Sequence, residues 1–289
     1  WASVSTASHD RQLDAMRRVC EDAWRRRGVR VEFETKPWLP ISSYYLYYRS
    51  HFSTEDASFI MFDVQLRRSP YKTRRVPVAC GELYRCAQEG ELPLPASIIG
   101  DKLLTMGPAT LGIPVGKGKQ AQRLKHAFDV STLLYEEPAL DDIRLSFFAC
   151  LEHENEIQKS SIAAKDVMVD TIRFCGSVIN HGQRPEPSSD LGEVLRENAE
   201  GVEDFASHLF DEGYGWHNLQ LDTSRVALCI AAVCLAEVTH ETFHDTLLRK
   251  APEAPQRLAP AVLGAVPQAR YYWEHALNLL GWNPLESPQ

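Results

Sequence analysis

The sequence of 289 residues contains no run of 18 or more apolar residues, so no candidate membrane-spanning helix is found. It also opens without the apolar segment of a signal peptide. Its seven cysteines are dispersed and odd in number, and no CxxC pair occurs. This pattern excludes a disulfide framework or a zinc knuckle. We therefore expect a cytoplasmic protein with reduced thiols and no membrane partner.

Several common nucleotide and hydrolase signatures are also missing, namely the Walker A loop, GxGxxG and GxSxG. The formal net charge of −8 argues against a protein coated in nucleic acid, although it leaves room for a local basic groove. The first residue is Trp1 and not Met, so we expect part of the gene product to lie upstream.

The apolar pattern predicts an α+β architecture. After an opening helix over 9–27, alternating or β-branched runs at 29–34, 44–50 and 59–66 predict strands. From about residue 96 the apolar spacing becomes helical. The helices are predicted at 96–106, 120–134, 141–159, 163–179, 189–210, 223–250 and 256–280. We expect an α+β domain over 1–140 and a larger helical domain over 141–289.

Asp63 interrupts the apolar strand FIMFDVQL. A carboxylate is costly to bury unless it is paired or holds a cation, so Asp63 is a candidate Mg²⁺ ligand. The alternative is a carboxylate on the solvated face of a two-faced strand.

Two basic clusters contrast with the acidic chain. The first comprises Arg67, Arg68, Lys72, Arg74 and Arg75, and the second comprises Lys117, Lys119, Arg123 and Lys125. Such patches suit contacts with the phosphates of RNA or a nucleotide. The alternative for the first cluster is the charged edge of a solvated hairpin.

Lys102 follows Asp101 in a predicted helix, and a lysine beside a carboxylate can bind a triphosphate as a compact point charge. Asp129 lies four residues after Lys125 on one helical face, so these two side chains can pair. That pairing alone would be structural.

His240, Glu241 and His244 spell HExxH, a pattern that binds zinc in hydrolases when it lies on a helix. A catalytic zinc normally needs a third protein ligand. Lys250 and Ala265 occupy the two usual positions for it, which leaves Glu253 and Glu274 as irregular candidates. We expect no stoichiometric zinc here.

The most specific stretch lies at 97–134, where the chain reads DKLLTMGPATLGIP and then KHAFDVSTLL. Together with the strand FIMFDVQL, it resembles the AbiEii/AbiGii-like nucleotidyltransferase toxins, which include the MenT toxins of type IV toxin–antitoxin and phage-defence systems. The resemblance covers most of the chain and is sharp over about 40 residues.

This resemblance implies a DNA polymerase β-like nucleotidyltransferase unit followed by a helical domain. It implies transfer of a nucleotidyl group from an NTP to RNA, with the tRNA 3′ end as the expected acceptor, Mg²⁺ as cofactor and a cognate antitoxin as partner. By residue, Lys102 matches the lysine that contacts the triphosphate, and Lys125 opens the motif that contains Asp129. Asp129 matches the carboxylate that holds the catalytic geometry, and Asp63 matches the strand carboxylate.

The chain departs from this family at the first metal motif, Ser-x-Asp-x-Asp after a strand. Ser8-His9-Asp10 matches only its first half, and Gln12 stands where the second Asp belongs. We expect the motif to lie upstream of Trp1. The alternative is a degenerate, non-catalytic member that acts as an interaction protein.

Overall fold

The computed structural model describes residues 30–35, 41–49, 58–65, 68–80, 84–181, 184–185, 192–209, 213–250 and 265–282. It also describes seven single positions between 11 and 25, and all seven are helical, as expected for the opening segment. The chain divides into two compact units, Trp1–Ser69 and Pro70–Gln289. The predicted boundary near residue 140 therefore differs from the observed one and falls inside the second unit.

The first unit contains a three-stranded antiparallel sheet in the order β1-β2-β3, as the alternating pattern predicts. The strands are β1 (Arg30–Thr35), β2 (Ile41–Tyr48) and β3 (Ser58–Gln65). On β2, Tyr44 and Leu46 are buried, and they lie two residues apart on one face.

The second unit opens with an antiparallel hairpin, and two residues of the first basic cluster, Arg74 and Arg75, lie on its first strand. Its strands are β4 (Thr73–Cys80) and β5 (Tyr84–Pro93). Lys72 anchors the hairpin to the helices. Its backbone N–H donates to Ser97 Oγ at 3.0 Å, and its ammonium group lies 2.7 Å from Asp142 Oδ1.

The rest of the second unit is helical. For the described residues this confirms the predicted change from alternating to helical apolar spacing near residue 96. The helices are α1 (Pro95–Leu104), α2 (Gln120–Leu133), α3 (Leu140–Gln158), α4 (Ala164–Ile179), α5 (Glu193–Ala206), α6 (Trp216–Cys234), α7 (His240–Leu248) and α8 (Pro267–Leu279). A short 3-10 turn, Leu134–Glu136, follows α2. Among the described helices, none is long and apolar enough to cross a membrane.

The helix predicted over 223–250 is two helices. The chain leaves helical geometry at Leu235, and Thr239 begins α7 by accepting a hydrogen bond from the Thr242 N–H at 3.2 Å. Arg144 on α3 satisfies the end of α6, because its guanidinium donates to the carbonyls of Ala232, Leu235 and Val238.

Helix α6 lies at the centre of the core. All eight residues from Val226 to Val233 are at most 2% exposed, which requires neighbours on every side of the helix. Cys229 is part of this core, as predicted, whereas Cys234 at the end of α6 is partly exposed. Helix α1 packs on α3 within the same unit, and Ser146 Oγ donates to the Ser97 carbonyl at 3.0 Å. This packing across residue 140 explains why no domain boundary occurs there.

The close approach of α1 and α3 at Gly100 yields a stability prediction. A Cβ atom at this position would lie 2.6 Å from the Phe147 nitrogen and 2.7 Å from Ser146 Cβ. Because backbone atoms cannot yield as a flexible side chain does, Gly100→Ala should lower the free energy of unfolding by about 1–3 kcal/mol. Urea denaturation measures this change.

Gly192→Ala is the matched control, because a Cβ there would meet nothing within 4 Å. Gly192 is the N-cap of α5, so a cost below about 1 kcal/mol is expected. Equal losses in the two variants would contradict the packing argument at Gly100.

Candidate functional site

Lys102, Lys125 and Asp129 come together where α1 meets α2. The Asp129 Oδ2 atom lies 2.7 Å from Lys125 Nζ and 3.8 Å from Lys102 Nζ. The predicted pairing of Lys125 with Asp129 is therefore confirmed. Lys102 and Asp129 are about a quarter or less exposed, at 24% and 21%, whereas Lys125 is 55% exposed. We call these three residues the phosphate cluster.

The charge of the phosphate cluster suits an anion. Two ammonium groups face one carboxylate, so the cluster carries an excess positive charge at neutral pH. Lysine ammonium groups are compact point charges that bind phosphate oxygens with charge-assisted hydrogen bonds. The carboxylate keeps the two lysines close to each other before a ligand arrives. The cluster can therefore hold a phosphate group at the junction of the two helices.

His126 fixes the spacing of the two helices. Its side chain is 7% exposed, and its Nδ1 atom lies 3.1 Å from Thr105 Oγ1 at the end of α1. Burial, and after it the charge of Lys102, lowers the pKa of His126 to about 4. The neutral ring thus joins α1 to α2 beside the phosphate cluster. Sequence reasoning missed this role because the pattern KHAFD does not reveal which side chains are buried.

Asp101 faces Tyr71, which precedes β4. Burial raises the pKa of Asp101, while the hydrogen bond from the Tyr71 hydroxyl and the charge of Lys102 act in the opposite direction. Burial, and after it the negative charge of Asp101, raises the pKa of Tyr71 well above its usual range. Tyr71 therefore stays protonated and donates to Asp101, which holds the start of the hairpin against α1 next to Lys102.

The Gly/Pro-rich loop over 107–119 is held by two carboxylates from the helical part. Asp170 Oδ2 on α4 accepts hydrogen bonds from Ala109 N, Thr110 N and Thr110 Oγ1, each at 2.8 Å. Glu197 Oε1 on α5 accepts one from Gly116 N at 2.6 Å. These bonds satisfy three of the loop's backbone N–H groups and hold the loop that leads into α2.

The expectation that Arg123 contacts RNA is wrong, because its side chain is fully buried. Its Nη2 atom lies 3.0 Å from Glu197 Oε2 and 3.3 Å from the Pro114 carbonyl. Its Nε atom donates to the Ile113 carbonyl at 3.2 Å. Arg123 therefore neutralises Glu197 inside the fold and holds the loop, and it presents no charge to a ligand.

Among the other predicted phosphate contacts, five are exposed, namely Arg68, Arg74, Arg75, Lys117 and Lys119. Arg67 lies outside the described residues. Arg74 and Arg75 are consecutive in β4 and pair with Leu92 and Glu91, so their side chains leave opposite faces of the hairpin. A single groove therefore cannot receive both arginines from a regular strand.

Asp63 is exposed on β3, and its Oδ1 atom accepts a hydrogen bond from Ser43 Oγ at 2.6 Å. It belongs to the first unit, whereas Lys102 and Asp129 belong to the second, so a joint site stays a prediction.

Within the described ranges, no group of three or more His, Cys, Asp or Glu side chains could hold a metal ion. Mg²⁺ needs one or two carboxylates plus phosphate oxygens, and Asp63 supplies one carboxylate. Asp63 is therefore the one carboxylate that we assign to Mg²⁺ among the described residues, and Ser8-His9-Asp10 lies outside them.

The HExxH residues begin α7 and make contacts of their own. His240 Nδ1 accepts a hydrogen bond from the Leu140 N–H at 3.3 Å, at the start of α3. His244 Nε2 lies 3.4 Å from Glu137 Oε2. Glu253 lies outside the described residues, and Glu274 is on α8. The histidines therefore connect α7 with the segment before α3, and the absence of zinc stays a prediction.

Comparison of the chain with protein-family models, with curated proteins and with solved structures finds no match. The proposed function below therefore depends on the phosphate cluster and on the motifs at 97–134.

The Arg123–Glu197 pair yields a prediction about stability. Glu197→Ala leaves a buried, uncompensated guanidinium, so the free energy of unfolding should fall by about 3–5 kcal/mol. The double variant Arg123→Met with Glu197→Leu removes both charges and should lose less than Glu197→Ala alone. Urea denaturation compares the variants. Glu203→Ala is the control: this glutamate pairs with Arg184 but is 77% exposed, so its loss should change the stability far less than Glu197→Ala does. A double variant less stable than Glu197→Ala would refute this account.

The buried His126 predicts acid sensitivity. The folded protein resists protonation of this ring down to about pH 4, whereas the unfolded chain protonates near 6.5, so the unfolded state binds more protons between these values. Stability is therefore lost as the pH falls through this window, by about 3 kcal/mol at most. In His126→Gln this part of the pH dependence should disappear from urea-unfolding curves between pH 4 and 7.5. The exposed His208→Gln should retain the wild-type profile, and an unchanged profile in His126→Gln would count against the assignment.

Proposed function

We propose that the protein is a nucleotidyltransferase that binds the phosphates of an NTP through Lys102 and Lys125 and transfers the nucleotidyl group to RNA. The observation that carries this proposal is the meeting of Lys102 and Lys125 at Asp129. These residues come from two helices and lie up to 27 positions apart (129 − 102) in the sequence. They are also the residues that the resemblance to the AbiEii/AbiGii-like toxins assigns to nucleotide binding and catalytic geometry.

The proposed roles follow from charge. An RNA hydroxyl oxygen attacks the α-phosphorus and loses its proton to solvent, while the bond to pyrophosphate breaks and negative charge grows on the departing pyrophosphate. Lys102, which is the less exposed lysine, stabilises this charge, and Lys125 holds the outer phosphates. Asp129 keeps both ammonium groups in position. Mg²⁺ would neutralise phosphate charge, and Asp63 of the first unit is the carboxylate that we propose as its ligand.

RNA is the proposed acceptor, and the tRNA 3′ end is the specific acceptor that we propose. Within the second unit, the exposed cations Lys117 and Lys119, together with one of the two β4 arginines, would contact its phosphates. Arg68 of the first unit stays a separate prediction as a phosphate contact. Modification of tRNA would block translation. On this proposal the protein acts in the cytoplasm as a toxin in a toxin–antitoxin or phage-defence system, opposed by a cognate antitoxin.

A degenerate, non-catalytic protein of the same fold that acts through partner contact is the second candidate. It is favoured by one observation, the hydrogen bond that occupies one oxygen of Asp63. A zinc hydrolase is a weaker alternative, because His240 already accepts a backbone hydrogen bond from Leu140.

Lys102→Ala should lower NTP affinity at least tenfold, because it removes the partly buried point charge of the phosphate cluster. Its free energy of unfolding should change by less than about 1 kcal/mol, since the Lys102–Asp129 contact is long at 3.8 Å. Calorimetry with Mg²⁺-NTP and the full chain measures the affinity. Transfer of labelled nucleotide to total tRNA tests the reaction and separates the enzyme from the interaction protein.

Lys165→Ala is the control, because Lys165 is an exposed lysine at the start of α4, away from the phosphate cluster. NTP affinity should be the same as in the wild type. If Lys102→Ala binds NTP as tightly as this control does, Lys102 has only a structural role and the proposal fails.

A further inference from the structure

A cavity of about 370 Å³ lies between α2, the side chains of Leu209 and Tyr214, and α6. Its volume is typical of a site for one small molecule. Half of its ten lining residues are apolar or aromatic, among them Phe128, Tyr135 and Tyr214, and the other half are polar or charged. None of the residues of the phosphate cluster lines it. We call this cavity the α2–α6 pocket.

Two charged side chains belong to this pocket, and both are nearly buried. Asp222 is 7% exposed and Arg225 is 8% exposed. The Tyr214 hydroxyl donates to Asp222 Oδ2 at 2.8 Å, and Arg225 Nη1 donates to Ser131 Oγ at 3.1 Å. The Ser131 hydroxyl also hydrogen-bonds Asp222, so it links the two charges.

Both charged groups keep hydrogen-bonding capacity for a ligand. A carboxylate has about four acceptor positions, and a guanidinium has five N–H donors. Burial raises the pKa of Asp222 to about 6, although the bonds from Ser131 and Tyr214 and the charge of Arg225 oppose this rise. Ionised Asp222 is therefore costly to the fold at neutral pH. Its presence in a cavity is more easily explained by a ligand than by stability.

The aromatic side chains provide flat surfaces. The Arg225 guanidinium lies 4.5 Å from the centre of the Tyr135 ring and 5.5 Å from that of Tyr272. The Tyr214 ring meets Phe128 edge to face, with ring centres 5.9 Å apart. Tyr135 itself is 68% exposed. Aromatic rings and guanidinium planes are the surfaces on which proteins stack nucleobases.

The charges restrict the ligand. An anion would meet Asp222 and a cation would meet Arg225, so a neutral ring with donors and acceptors on its edge fits best. Guanine presents two neighbouring donors, N1–H and the N2 amino group, which match the two oxygens of a carboxylate. Adenine presents an acceptor at N1, which a carboxylate repels. We propose that the α2–α6 pocket binds a guanine base, with Asp222 accepting from N1–H and N2–H and the aromatic walls enclosing the ring.

The pocket is independent of the phosphate cluster in chemistry but shares a helix with it. Phe128 lies one position before Asp129 on α2, which is about 100° around the helix axis. One helix therefore carries both features on neighbouring faces. Because a nucleoside has no phosphate, its binding tests the pocket alone, and the result does not depend on nucleotidyl transfer.

The experiment measures binding of guanosine, inosine and adenosine to the full chain by calorimetry. Guanosine should bind, inosine should bind about tenfold more weakly because it lacks the N2 amino group, and adenosine should bind at least about a hundredfold more weakly. Absence of guanosine binding at millimolar concentration, or equal binding of adenosine, would overturn the proposal.

Asp222→Asn makes the test specific. An Asn side chain has one acceptor and one donor, so guanosine affinity should fall at least tenfold. Xanthosine affinity should rise, because xanthosine has a carbonyl in place of the N2 amino group. Guanosine binding that is unchanged in Asp222→Asn would overturn the proposal. Asp204→Asn, an exposed carboxylate on α5, should bind guanosine like the wild type.

A stability measurement separates lost binding from lost folding. Asp222→Asn can still accept from the Tyr214 hydroxyl and no longer ionises, so its urea midpoint should rise at pH 7.5. At pH 4, where the wild-type carboxyl is protonated, its midpoint should equal that of the wild type. A lowered midpoint at pH 7.5 together with lost binding would attribute the loss to folding and overturn the proposed role of Asp222.

A final arm distinguishes the source of the base. A single-stranded oligouridine that contains one guanosine is compared with oligouridine alone. Tighter binding of the guanosine-containing strand supports an RNA ligand, whereas guanosine binding without this difference supports a free nucleotide. Both results retain the guanine assignment.

Discussion

The buried ion pair between Arg123 and Glu197 is the interaction on which the arrangement of the second unit depends. Glu197 uses one oxygen for Arg123 and the other for the backbone of Gly116, while Arg123 also binds the carbonyls of Ile113 and Pro114. The loop before α2 is therefore fixed to both α2 and α5. Because this loop sets the start of α2, it also sets the position of every side chain that α2 presents.

Helix α2 carries the chemistry of this unit on two of its faces. Lys125 and Asp129 face Lys102 on α1, whereas Phe128 and Ser131 line the pocket beside α6. Buried His126 joins the same helix to Thr105. Breaking such buried polar contacts is costly, so Arg123 and His126 hold α2 in place within the unit. The same helix thus combines residues that fix its position with residues of both proposed binding sites.

Helices and strands whose apolar residues recur at regular spacing could be predicted from the sequence. Helix ends and strands that depend on tertiary contacts could not. The strands at 29–66 and most helices follow from alternating or 3.6-residue apolar spacing. The break between α6 and α7 was missed because the apolar pattern continues through it, while Arg144 from a distant helix stabilises the end of α6. No strands were predicted over 73–93, although a solvated hairpin was the alternative for the first basic cluster, because these strands carry many charges and few buried side chains.

The candidate site shows the same division. The i, i+4 spacing predicted the pair of Lys125 with Asp129, and the resemblance singled out Lys102. The prediction for Arg123 was wrong because a basic run does not show which of its arginines is buried. Arg123 is buried with Glu197, which lies 74 residues further along the chain. The sequence did not indicate a binding role for Asp222 or Arg225, because they lie in an apolar helix. Their pocket is formed only when residues of α2 pack beside them. Local sequence patterns therefore identify charges that face their own helix neighbours, and only tertiary structure identifies charges that are paired across the fold.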